Sequence, residues 1–148
     1  MSEKPKIQVL YVDDEKNNLI SFKANFRIDF DVFIAESAEE GREILKKHRI
    51  NVIITDQRMP VKTGVEFLEE IMKDFPDPVR MLLTGYTDME TVIEAVNKGK
   101  IFQYIRKPYV GEDLKNQINI AFEAYEAAQK IKRSNEQYEF ILRQKLLS

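Results

Sequence analysis

Ile7-Gln8-Val9-Leu10-Tyr11-Val12 runs directly into Asp13-Asp14. An apolar run this short, ending in acids, reads as a strand buried on both faces. Helical spacing takes over at once. In Asn17 to Phe26, Leu19, Phe22 and Phe26 sit at i, i+3 and i+7. The alternation then repeats down the chain. Val32-Phe33-Ile34-Ala35, Asn51 to Thr55, Val79 to Thr84 and Ile101 to Ile105 are four further strands. Ser37-Ala38-Glu39-Glu40 reads as a capping box that opens a helix carrying Ile44 and Leu45. Gly64 opens another, with Val65, Phe67, Leu68, Ile71 and Met72, and Pro76 and Pro78 stop it. Asp88 to Asn97 is a fourth helix, closed by Gly99. The last helix begins near Gly111.

Five apolar strands alternating with five helices predict an α/β fold. The expected form is a doubly wound, flavodoxin-like (βα)5 parallel sheet with strand order 2-1-3-4-5 and an extended C-terminal helix. The 148 residues suffice for one such core. Composition narrows the function. Acids number 25 and bases 23, a net charge of −2, so the whole chain carries no nucleic-acid footprint and no direct nucleic-acid contact is expected. There is no cysteine, which excludes disulfides and thiolate chemistry. His48 is the single histidine. It follows Lys46-Lys47 at a helix end, where cations suit the helix dipole. No run nears the ~18 apolar residues of a membrane span, and the N-terminus lacks a signal-peptide core. A cytoplasmic protein without a membrane partner is expected.

In doubly wound sheets, sites form at the carboxyl ends of the strands. Strand one ends in Asp13-Asp14, strand three in Asp56, strand four in Thr84 and strand five in Lys107, before Pro108. Three carboxylates brought together repel unless a cation lies among them, and all-oxygen ligands suit Mg²⁺. A carboxylate can also act as a nucleophile and form an acyl phosphate. Phosphoryl transfer chiefly needs positioning and neutralisation of the equatorial oxygens, which Mg²⁺, the Lys107 ammonium and the Thr84 hydroxyl would supply. Asp56, on the central strand, is the natural nucleophile.

From about Lys6 to Ala121 the sequence resembles the receiver domains of two-component response regulators. The motifs are Val-Asp-Asp-Glu at 12–15, Thr-Asp-Gln-Arg-Met-Pro at 55–60 followed by Gly64, Leu-Thr-Gly-Tyr at 83–86 and Tyr-Ile-Arg-Lys-Pro at 104–108. The resemblance implies that Asp56 accepts phosphate from the phosphohistidine of a sensor histidine kinase. It implies Mg²⁺ held directly by Asp14, Asp56 and the Arg58 carbonyl, with Asp13 acting through water. Lys107 would bind phosphoryl oxygens, Thr84 would turn to the phosphate, and Tyr104 would be an aromatic switch altering the face of helix four, strand five and helix five. A cis Lys107–Pro108 bond is expected. Arg58 and Tyr86, both bulky, occupy places that influence phosphate lifetime in this family. The domain would catalyse only its own phosphotransfer and dephosphorylation, with no outside substrate.

Blander readings exist for each position singly. Asp13-Asp14 could cap a helix. Asp56 and Thr84-Gly85 could be turn residues, Lys107 a solvated cation and Tyr104 simple packing. Phe22, Phe26, Phe30 and Phe33 read as core. Lys130, Lys132 and Arg133 read as a solvated helix face. Two rival functions stand beside the receiver. A haloacid-dehalogenase-like, Mg²⁺-dependent phosphatase also uses an Asp nucleophile with Thr and Lys, but needs a second Asp two residues on, where this chain has Arg58. A pseudo-receiver would bind partners without phosphate.

Glu112 to about Leu147 holds neither proline nor glycine and favours helix. A rod of some 36 residues, roughly 50 Å, is expected. Leu114, Ile118, Ala121, Tyr125 and Ala128 keep a 4-3-4-3 rhythm, and Ile131, Asn135, Tyr138 and Leu142 continue it after a step of three, a stammer. Asn135 would fix register. The expected organisation is a receiver over 1–127 and a helical extension over 128–148. The extension would form a homodimeric coiled coil leading to an output domain missing from this chain.

Overall fold

The computed structural model describes residues 5–85 and 89–147. Five strands, β1 (Gln8–Val12), β2 (Asp31–Ala35), β3 (Val52–Asp56), β4 (Val79–Thr84) and β5 (Gln103–Arg106), pair in parallel in the order β2-β1-β3-β4-β5. The helices are α1 (Lys16–Phe26), α2 (Ala38–Lys47), α3 (Gly64–Asp74), α4 (Met89–Asn97) and α5 (Gly111–Leu147). This is the doubly wound, flavodoxin-like arrangement expected from the alternation of elements.

The strand period of two divides the core into two layers. Leu10, Val12, Ile53 and Leu82 face α2, α3 and α4, where they meet Leu45, Phe67, Leu68, Ile71 and Val92. Val9, Tyr11, Val52, Ile54, Met81 and Leu83 face α1 and α5, where they meet Leu19, Phe22, Phe26, Leu114, Ile118 and Ala121. Phe22, Phe26 and Phe30 are buried as expected, whereas Phe33 is only half-buried. Phe33 lies on the edge strand β2, and its ring sits 4.5 Å from that of His48, which caps the end of α2.

Some local details depart from the sequence reading. Ser37 accepts the Glu40 backbone N–H, but Glu40 returns its carboxylate to the Glu36 N–H at 2.7 Å, so that capping box does not close. The reciprocal box is at α3, between Thr63 and Glu66. The fifth strand starts two residues later than expected. Ile101 still belongs to the turn after α4, because its N–H is drawn to the Ala95 carbonyl. Gly99 ends α4 with φ of 73°, a left-handed conformation glycine takes without steric cost.

The last helix is one continuous rod of 37 residues. Its apolar rhythm divides in two. Leu114, Ile118, Ala121 and Tyr125 are buried in the body of the molecule. They are core, not the seam of a coiled coil. Ile131, Tyr138, Phe140, Ile141, Leu142, Leu146 and Leu147 are exposed. Ile131 lies ten residues beyond Ala121, which at 3.6 residues per turn sets it roughly a quarter turn away from the sheet-facing stripe. The stammer is where one face ends and the other takes over. Among the described residues, no helix is long and apolar enough to cross a membrane.

Candidate functional site

Four of the five strands, β1, β3, β4 and β5, deliver groups to the carboxyl edge of the sheet. Asp56 and Thr84 are the last residues of β3 and β4, and Asp13 and Lys107 follow β1 and β5 directly. Carboxylate oxygens of Asp13, Asp14 and Asp56 lie within 4.8 Å of one another. Asp13 is fully buried, Asp56 nearly so, and Asp14 is exposed. The Lys107 ammonium donates to Asp56 Oδ1 at 2.6 Å and stands 3.8 Å from Asp13 Oδ2. Its backbone N–H donates to the Thr84 carbonyl at 2.8 Å, and the Lys107–Pro108 bond is cis. The predicted constellation is therefore assembled from four strands.

The surroundings of Asp56 hold it rigidly. The Thr55 hydroxyl donates to the Asp56 carbonyl at 3.0 Å. Gln57 is buried, accepts Gly64 N–H on its backbone oxygen at 3.0 Å and accepts Val65 N–H on its side-chain oxygen at 2.9 Å. These bonds tie the strand end to the first turn of α3. A Cβ on Gly64 would stand 2.4 Å from the Asp56 carbonyl oxygen, so only glycine permits this approach. Gln57 escaped the sequence reading, because a glutamine in a loop gives no signal of burial.

Electrostatics favour a cation here. Burial raises the Asp56 carboxyl above its ordinary value, and the Lys107 ammonium pulls it partly back. Asp13 and Asp14 push in the same direction as burial. One ammonium does not neutralise three carboxylates, and the donor set is oxygen throughout. Such a set fits a hard divalent ion such as Mg²⁺.

The remaining predicted residues are less engaged. The buried Thr84 hydroxyl donates to the Gly85 carbonyl at 3.3 Å rather than to Asp56. Tyr104 is half-buried against the α3–α4 side of the core. Arg58 is exposed, and Tyr86 lies outside the described residues. Tyr11 and Asn18 were missed. Both donate to Asp13 Oδ2, at 2.6 and 3.0 Å. Asp13 Oδ1 accepts the Glu15 N–H at 3.0 Å, at the N-cap of α1. The helix-capping reading of this acid pair fails: the N-cap is Glu15, without a side-chain cap bond, and Asp13 only braces the chain leading into α1.

Residues 9–119 match the family model of the response regulator receiver domain. The hydrogenase transcriptional regulatory protein HoxA of Cupriavidus necator is 42% identical over 124 residues, 84% of this chain and 26% of that protein. A solved structure of an adenylate cyclase from Rhodopirellula baltica superposes with a TM-score of 0.85 at 32% identity, covering 88% of this chain and 98% of that one. A response regulator receiver domain protein from Clostridium thermocellum gives 0.77 at 35% identity, covering 82% and 98%. The chain spans about a quarter of the length of the HoxA proteins it matches.

Proposed function

The chain belongs to the response regulator receiver domain family, and from that premise we propose that it is switched by a phosphoryl group carried on Asp56. The observation that carries this reading is the contact of the Lys107 ammonium with Asp56, inside the cluster completed by Asp13 and Asp14. An Asp56 oxygen attacks the phosphorus of a phosphohistidine on a sensor histidine kinase. The P–N bond breaks, its electron pair stays on the imidazole nitrogen, and Asp56 becomes a mixed anhydride. Bound Mg²⁺ would offset charge on the transferring phosphoryl oxygens, with Asp14, Asp56 and the Arg58 carbonyl as direct ligands and Asp13 acting through water. Lys107 follows the new negative charge from the carboxylate to the phosphoryl group. The Thr84 hydroxyl, bonded only to a neighbouring carbonyl, is free of any partner deep in the site that would hold it back.

Thr84 moving inward vacates space beside β5, and Tyr104, already half-buried, fills it. The surface of α4, β5 and α5 changes as a result, a local charge biasing a two-state element. Arg58 and Tyr86 shield the anhydride from water and lengthen its life. The chemistry ends on the chain's own side chain, so the domain is a switch and not an enzyme with an outside substrate. The phosphatase rival is disfavoured by the family match and by Arg58, which cannot serve as its general acid. The receiver spans 1–127. The extension, 128–148, pairs with a second copy through Ile131, Tyr138 and Leu142 and leads to an output domain. A kinase partner of this kind places the protein in the cytoplasm.

Intact mass after incubation with Mg²⁺ and acetyl phosphate tests the reading. One phosphoryl adduct on the wild-type chain, absent from Asp56→Asn, is expected. An adduct that persists in Asp56→Asn overturns it, and phosphodonor turnover without a lasting adduct revives the phosphatase.

A further inference from the structure

Asp13 is the most heavily engaged carboxylate of the cluster. Its Oδ2 accepts the Tyr11 hydroxyl and the Asn18 amide, and its Oδ1 accepts the Glu15 N–H. The Tyr11 bond follows from the strand. Residues two apart share a face, so β1 places Tyr11 directly behind Asp13. The Tyr11 ring is buried and stacks on Phe22 with 4.3 Å between centroids, and Phe22 packs on Phe26 at 4.8 Å. Held in this aromatic file, the hydroxyl has one position. Its 2.6 Å contact with a carboxylate is a short, charge-assisted hydrogen bond.

The phosphoacceptor chemistry makes no use of Tyr11. We propose that Tyr11 is a positioning residue that holds Asp13 away from direct metal coordination and thereby sets which divalent cation the site prefers. The assignment rests on the acidic cluster being a metal site. A cation bound directly by Asp13 Oδ2 has to compete with the Tyr11 and Asn18 donors for the same lone pairs. Asp13 therefore meets the cation through water, and Asp14 and Asp56 are the direct carboxylates. A set of two suits Mg²⁺, which retains several waters. Ca²⁺ takes six to eight oxygens and gains more from each added carboxylate. Releasing Asp13 thus favours Ca²⁺ over Mg²⁺.

Tyr11→Phe removes the hydroxyl and keeps the stacked ring. Mg²⁺ and Ca²⁺ are titrated separately into the full chain by calorimetry. The Ca²⁺ affinity relative to Mg²⁺ rises about tenfold in the variant, the scale on which outer-shell partners of metal ligands act. In an Asp13→Asn background the same substitution leaves the ratio unchanged. Asn18→Ala, which removes the other Oδ2 donor without touching the stack, shifts the ratio the same way by a smaller factor and serves if Tyr11→Phe does not fold. An unchanged ratio, an equal loss for both ions, or the same shift in the Asp13→Asn background overturns the role of Tyr11 alone. Wild-type chain that binds neither ion overturns the metal reading itself, and this role with it.

Discussion

At the carboxyl edge of the sheet this molecule buries acids and hydroxyls, and along the outer half of α5 it exposes isoleucine, tyrosine, phenylalanine and leucine. The usual partition of polar and apolar residues is reversed twice, in opposite senses. Buried polar groups and exposed apolar patches are the informative departures from it. The two differ in how they are compensated. The polar atoms of Asp13, Asp56 and Gln57 are partnered within the chain, with an excess of negative charge left for a cation to offset. Ile131, Tyr138 and Leu142 stay largely exposed along the rod. Their burial requires a second molecule.

The largest effect expected at the compensated end comes from Gly64→Ala. The new methyl group would stand 2.4 Å from the Asp56 carbonyl and 2.7 Å from Leu82 Cδ1, and backbone must shift to admit it. A loss of about 3 kcal/mol in unfolding free energy is expected by denaturant titration. A variant of unaltered stability would mean that the end of β3 is not held tightly.

A smaller effect of opposite sign is expected from Asp56→Asn without metal. Asp56 titrates above its ordinary value of 3.8 in the fold. Between that value and the raised one the native state binds more protons than the unfolded state, so stability falls as pH rises through this window. Above this window the carboxylate is charged in both states and its desolvation is a net cost. Asp56→Asn then stabilises the metal-free chain by about 1 kcal/mol. Saturating Mg²⁺ stabilises the wild type and removes the difference. A metal-free variant less stable than wild type would mean that the Lys107 contact outweighs desolvation.

The smallest effect on folding is expected in the tail. Ile131→Asp with Tyr138→Asp changes the unfolding free energy of dilute chain by less than about 0.5 kcal/mol, as for exposed sites generally. Sedimentation of the same variant shifts from dimer to monomer. Wild-type chain that sediments as a monomer at high concentration breaks the comparison, because the exposed stripe would then not serve self-association.

Much of this was readable from residue order. The strands declare themselves as apolar runs, and the acids, threonine and lysine stand at their ends. That placement is local information, since a residue's position along a strand is set by the chain itself. The details that failed are those decided by a third party. Glu40 and Glu66 sit in the same capping pattern, yet only Glu66 closes its box, because Glu40 finds the Glu36 N–H instead. Leu114 to Tyr125 and Ile131 to Leu142 show the same spacing, yet only the first set meets the sheet.

Sequence by itself determined the order of elements, the strand-end chemistry and the helical nature of the tail, because periodicity and residue type act over a few neighbours. Only the tertiary structure decided that Tyr11 bonds Asp13, that Gln57 anchors the start of α3, and which half of α5 is core. Those outcomes depend on distances between segments far apart in the chain, where burial and geometry, not spacing, choose the partner.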